Sequence, residues 1–138
     1  MRNITEAIAG YAPAEGLMTT AQQVAHAAQT IDWFMDYAFG PAGFSMDFES
    51  MAKVAAEVKS LKAAREWFDK SVASASATLG AKSDAELLTP LPPGPIMGGL
   101  PCMAIAGAIT DHTSHHRGVL TVHARLNKIV PPMPYMDM

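Results

Sequence analysis

Apolar residues recur along most of this chain at spacings of three and four, the period of an α-helix, and no segment shows the alternation of a strand. The first long periodic segment opens at Met18-Thr19-Thr20 and closes at Gly40-Pro41. Thr19 or Thr20, with Gln22 or Gln23 three residues on, has the spacing of a capping box, so about twenty residues of helix are predicted. Val24, Ala28, Ile31 and Met35 form one stripe of that helix, and Gln22, Gln29, Asp32 and Asp36 crowd into a narrow arc. Nearly everything else on it is apolar, so it must touch neighbours on two sides, and His26 lies beside Trp33 and Tyr37 on the second of them. Ser60 is placed to cap a second helix over Leu61 to Leu79, with Gly80 as its C-terminal stop, and Ser83-Asp84 starts a further turn through Leu88. The stretch Pro90 to Pro101, with Gly94, Gly98 and Gly99, carries too many breakers for regular structure and reads as a long crossover. Pro101 suits the first turn of a last helix, Cys102 to about Lys128, which Pro131-Pro132 ends. Phe44 to Val58 predicts a short helix or irregular connection, and Ile4 to Tyr11, weakened by Gly10, a short first helix. The predicted fold is all-α, a helical bundle.

Composition narrows the class. A chain of 138 residues, 49% hydrophobic and 17% charged, is neither disordered nor a charged coiled coil, and it is read as one domain over residues 1–138. Ten Lys+Arg against thirteen Asp+Glu, a net charge of −3, argues against nucleic acid as a partner. No apolar run approaches the roughly 18 residues of a membrane helix. Met1-Arg2-Asn3 leads into Glu6, Gly10, Pro13 and Glu15 rather than a signal-peptide core. One cysteine, Cys102, makes no internal disulfide, so a reducing, cytoplasmic location is expected.

Four of the five histidines fall in the last helix, in Asp111-His112-Thr113-Ser114-His115-His116-Arg117-Gly118 and at His123. His112 and His116 are four apart, so their Cβ atoms lie about 5–6 Å apart on one face. That face continues the Ile105 and Ile109 stripe toward Val119 and His123, and it points inward; His115 is turned about 100° away. Such a pair can be satisfied by carbonyls or by solvent at a helix end. A third donor shifts the balance, because His26 also sits on an apolar arc, where an uncompensated imidazole costs free energy. Three neutral imidazoles from two helices leave coordination positions for water, the pattern of a catalytic divalent site, and they suit zinc, nickel, copper or iron alike. Coordination needs neutral imidazole, so affinity is expected to fall below the histidine reference pKa of about 6.5. Among other candidates, Arg117 is read as snorkelling or paired rather than steering an anion, Asp111 as solvated, and Cys102 as a space-filler. His123 is expected to reach a rim or a hydrogen bond. Ten methionines, Met133, Met136 and Met138 among them, read as packing.

The run from Asp111 to Gly118, followed by Leu120-Thr121-Val122, Ala124-Arg125-Leu126, Val130-Pro131-Pro132 and Pro134-Tyr135, resembles the C-terminal signature of the DinB-like (DinB/YfiT) metalloenzyme family. Gln22-Gln23-Val24-Ala25-His26-Ala27-Ala28 is similar to that family's second-helix motif. The resemblance covers most of residues 15–135 and implies a four-helix bundle, frequently dimeric, with a zinc or nickel ion on His26, His112 and His116. It also implies, for members of known activity, thiol-dependent transfer or isomerisation with bacillithiol- or mycothiol-type cofactors. Two features depart from the pattern: Val119 stands where the family commonly has glutamine, and the first helix is shorter.

The function expected is therefore divalent-metal binding, with a metal-dependent thiol S-transferase or hydrolase as the enzymatic reading and a non-catalytic metal- or ligand-binding or dimerisation module as its rival. The partners expected are a small-molecule substrate or low-molecular-weight thiol. No Glu stands in the His-rich helix as it does in His-Glu-x-x-His proteases, which argues against a peptidase. The short first helix predicts open apolar surface on the Val24/Ile31 or Phe68/Val72 stripes and, from it, a homodimer.

Overall fold

The computed structural model describes residues 3–40 and 43–133, and its helices are α1 (Thr20–Phe39), α2 (Phe48–Glu57), α3 (Leu61–Ala81), α4 (Asp84–Leu88) and α5 (Ala104–Leu126). No strand forms among the described residues, and the chain is an all-helical bundle. Met1, Arg2, Pro41, Pro134, Tyr135, Met136 and Met138, which entered the sequence reading, lie outside the described residues.

α1 is the helix on which α2, α3 and α5 pack, and its sequence explains why. Ala21, Ala25 and Ala28 are fully buried, and side chains that small let neighbouring helices come close on two sides. α3 and α5 take those sides, and α2 lies along a third, held where the Gln22 and Gln29 amides donate to the carbonyls of Ala56 and Met51. The start of α1 is fixed by the capping box: the Thr19 hydroxyl accepts from the Gln22 N–H and the Gln22 side chain accepts from the Thr19 N–H.

Two apolar clusters set the directions of the helices. At one end Ala21 of α1, Leu61 of α3 and Leu120 and Ala124 of α5 pack together; at the other Phe34 and Tyr37 meet Leu91, Cys102 and Ile105, with Leu79 against them. α1 and α3 therefore run parallel and α5 antiparallel to both. The Trp67 indole N–H donates to the Asp32 carboxylate at 2.7 Å and pins α3 to α1 midway.

The N-terminal segment differs from expectation. Only Glu6–Ile8 is helical, as a single 3₁₀ turn, because the segment serves as a plug. Ile4 and Ile8 are buried in the first cluster, and the Glu6 carboxylate accepts from the Leu61 and Lys62 N–H groups at 3.0 Å each, capping α3 beside Ser60. Those contacts hold the Glu6 carboxyl below the usual range, chiefly through the Lys62 N–H. The Val24/Ile31 stripe is not left open, since Ile31 is buried, whereas Val72 remains exposed.

Gly80 does not stop α3. It lies in the helix without the positive φ that a glycine stop uses, and Lys82 is the C-cap. The crossover is closed at its base. Leu91 N–H donates to Leu100 O at 2.7 Å, Cys102 N–H to Thr89 O at 2.9 Å and Met103 N–H to Leu87 O at 2.9 Å, with Leu91 fully buried between the two limbs. Among the described residues no helix is long and apolar enough to cross a membrane.

Candidate metal centre

Because α5 runs antiparallel to α1, a histidine in the first half of α1 meets the middle of α5. His26, His112 and His116 each offer a ring nitrogen, and these nitrogens all lie within 4.8 Å of one another. The His26 ring centroid is 5.1 Å from that of His112 and 4.9 Å from that of His116. The Nε2 atoms of His112 and His116 are 3.1 Å apart. His116 is buried and the other two are half-buried, so the cluster has a closed side and a side that faces outward.

Burial lowers the pKa of all three rings. His112 and His116 are pushed down to about 4, first by desolvation and then by repulsion from neighbouring imidazoles, with Asp111 partly opposing the shift at His112. His26 is lowered by burial alone. At neutral pH the rings are uncharged and their lone pairs are available.

One residue of the site escaped the sequence reading. Gln23, buried one turn before His26, lies with Oε1 2.5 Å from Nδ1 of His116. An amide oxygen can only accept, so Nδ1 carries the proton and the Nε2 lone pair points to His112 and His26. That is the support a metal-ligating histidine commonly receives from a neighbouring acceptor. Gln22 and Gln23 are both visible in the sequence as capping candidates; Gln22 does the capping, which left Gln23 free to turn inward.

The donor set fits a divalent ion. Nitrogens bound tetrahedrally at 2.0–2.1 Å would lie about 3.4 Å apart, close to the observed His112–His116 separation. A proton shared between those two rings would also account for 3.1 Å, but it would leave His26 facing them without use. No Cys, Asp or Glu joins the three histidines as a fourth donor among the described residues.

The remaining candidates fall elsewhere. His123 is buried two turns further on, its Nδ1 3.0 Å from the Thr20 hydroxyl and its ring edge-on to Tyr11, so it ties α5 to α1 and the N-terminal segment. His115 and Asp111 are exposed, and Val119 is half-buried. Cys102 is a buried free thiol 3.7 Å from the Ala38 carbonyl, a packing residue as expected.

Comparison with curated proteins and with solved structures finds no match. A family model, the DinB superfamily, matches residues 1–120, a span that contains all three clustered histidines and Gln23. With that match over most of its length, an all-helical bundle and the three-histidine cluster, the chain belongs to the DinB superfamily.

Proposed function

We propose that this protein is a metal-dependent thiol S-transferase or hydrolase that holds zinc or nickel on His26, His112 and His116. The observation that supports it best is a donor set of three neutral imidazoles with no fourth protein ligand among the described residues, which leaves room for an exchangeable ligand. A divalent ion there supplies Lewis-acid chemistry, lowering the pKa of a thiol or of water. The chain's own part is to hold the site: Gln23 fixes the His116 tautomer, burial keeps the rings neutral, and the half-buried His26 and His112 mark the side from which a substrate enters. Among the described residues no carboxylate joins the cluster as a general base, which favours a nucleophile that needs little help, such as a low-molecular-weight thiol of the bacillithiol or mycothiol kind. Cys102, single and reduced, is in keeping with a cytoplasmic setting.

Metal analysis of the purified protein, joined to a thiol-transfer assay, tests this reading. One divalent ion per chain and turnover that requires both thiol and metal are expected. Full metal occupancy with no turnover on any thiol or hydrolytic substrate would favour the non-catalytic binding module instead.

Self-association is part of the same proposal, with the surface moved from where the sequence placed it. Val122 and Leu126 are exposed on the outer face of α5 at helical spacing, with Val130 beyond them 76% exposed. Large apolar side chains exposed together near the end of α5 suit an interface, and a two-fold dimer is the commonest closure. Light scattering should give twice 14.7 kDa at micromolar concentration, and Val122→Lys with Leu126→Lys should return the monomer.

A further inference from the structure

The clustered histidines are unequally supported. His116 has the Gln23 amide oxygen against Nδ1, whereas the His26 ring meets the rings of His112 and His116 and makes no hydrogen bond among the described residues. A neutral imidazole that ligates through one nitrogen carries its proton on the other, and that N–H calls for an acceptor. Gln22, His26, Gln29 and Trp33 follow one another at spacings of four, three and four, so they share one face of α1 and both amides are neighbours of the ring. Gln22 is engaged at both ends: its oxygen accepts from the Thr19 N–H at 2.9 Å and its nitrogen donates to the Ala56 carbonyl at 3.0 Å. Gln29 is engaged at one. Its nitrogen donates to the Met51 carbonyl at 3.0 Å, and because a carbonyl only accepts, the amide cannot be turned the other way round. Its Oε1 is buried and has no partner.

A buried amide oxygen without a donor costs free energy, since the water it gave up is not replaced. Ser71 Oγ on α3 is the other such atom among the described residues, but a hydroxyl in a helix can rotate toward the carbonyl one turn back. Gln29 Oε1 has no such recourse. Long side chains on a helix lean toward its N-terminus, over the residues three and four before them, which carries the Gln29 amide toward the turn that holds His26.

We propose that Gln29 is a positioning residue for His26: its Oε1 accepts from the imidazole N–H that does not ligate, and so turns the other nitrogen's lone pair toward His112 and His116. An acceptor without a donor and a ring N–H without an acceptor, one turn apart on one helix face, carry the assignment. It rests on the reading of the three histidines as a metal site, and it adds a role to a side chain that otherwise only ties α2 to α1.

Three variants of the full chain separate that role from the tie. Gln29→Glu keeps an acceptor oxygen and loses the donor to Met51, Gln29→Met loses both, and Gln22→Leu loses the other tie to α2 while leaving Gln29 intact. Zinc affinity, measured against a competing chelator, should fall roughly 10- to 100-fold in Gln29→Met, the range for lost outer supports of metal ligands. It should be equal or tighter in Gln29→Glu, because a carboxylate is the stronger acceptor, and hold in Gln22→Leu, although all three variants melt at lower temperature. With 15N-labelled histidine, the ring N–H of His26 in the zinc-loaded protein should be protected from exchange with water in the native chain and in Gln29→Glu, and lose that protection in Gln29→Met. The ring N–H of His116 should stay protected throughout. Unchanged zinc affinity in Gln29→Met, or a His26 N–H that remains protected there, would overturn the proposal. So would an equal loss of affinity in all three variants, which would show that only the tie to α2 matters. A native chain that takes up no zinc would bring down the metal centre itself, and this assignment with it.

Discussion

Alanine at His112 or His116 should abolish stoichiometric divalent-metal binding, and alanine at His26 should weaken it strongly, while His115→Ala leaves it nearly intact. The two α5 histidines carry the larger effect because their nitrogens already stand 3.1 Å apart, at the spacing an ion would impose, and removing either leaves only a pair of donors on different helices. His115 is exposed, its ring beside that of His116 but not among the converging nitrogens. The structure adds Gln23 to the same series. Gln23→Leu removes the acceptor that sets the His116 tautomer and should cost roughly 10- to 100-fold in metal affinity, the range seen when outer supports of metal ligands are lost. Gln22→Leu loses a capping bond and the tie to Ala56, so it should lower stability and spare the metal. Metal content by elemental analysis, with thermal melts alongside, reads all six single variants. Full occupancy in the double replacement of His112 and His116 would refute the assignment.

Acid should release the metal at a lower pH than free histidine chemistry suggests. Protons compete only once the rings can hold them, and His112 and His116 bind protons at about pH 4 rather than about 6.5. Affinity measured against a competing chelator should therefore show its steepest loss toward pH 4, where His112 and His116 take up protons, and not near 6.5. The metal-free protein should respond earlier. Between the unfolded value of about 6.5 and the folded value near 4, the unfolded chain binds more protons than the folded one, so stability rises with pH across that window. His26 and His123, also lowered by burial, act in the same direction. Melting temperatures of the metal-free chain should drop between pH 7 and pH 5, while the metal-loaded chain holds. A metal-free melting temperature that rose on acidification across that window would show that the rings are not buried as described.

The long helices were legible because their information is local. Apolar spacing and the capping residues Thr19, Ser60 and Ser83 all lie within a few positions of the boundary they set. The three-histidine group was legible for a related reason: the i,i+4 pair is local, and His26 stands alone on the other candidate helix. What escaped depends on partners distant in sequence. Gln23 finds His116 across 93 positions, and His123 finds Thr20 across 103. Ile4 and Ile8 have helical spacing, yet their segment is shaped by the cluster they fill and by the use of Glu6 at the start of α3. Gly80 misled because a glycine ends a helix only where the backbone turns left-handed, and here it does not.

The pairing at the base of the crossover bears on how freely this fold can vary. Thr89 with Cys102 and Leu91 with Leu100 clamp the two limbs together before α5 begins, and the register of His112 and His116 is set from this clamp rather than from the exposed end of the tip. Gly98 is the exception within the tip, because a Cβ there would come within 2.6 Å of the Gly94 backbone. An insertion between the exposed Gly94 and Pro95 can therefore be carried without displacing the histidines, while the half-buried Met97 packs against the second cluster and is not free to vary; a break in the clamp would let α5 slide along α1 and pull the three rings out of alignment.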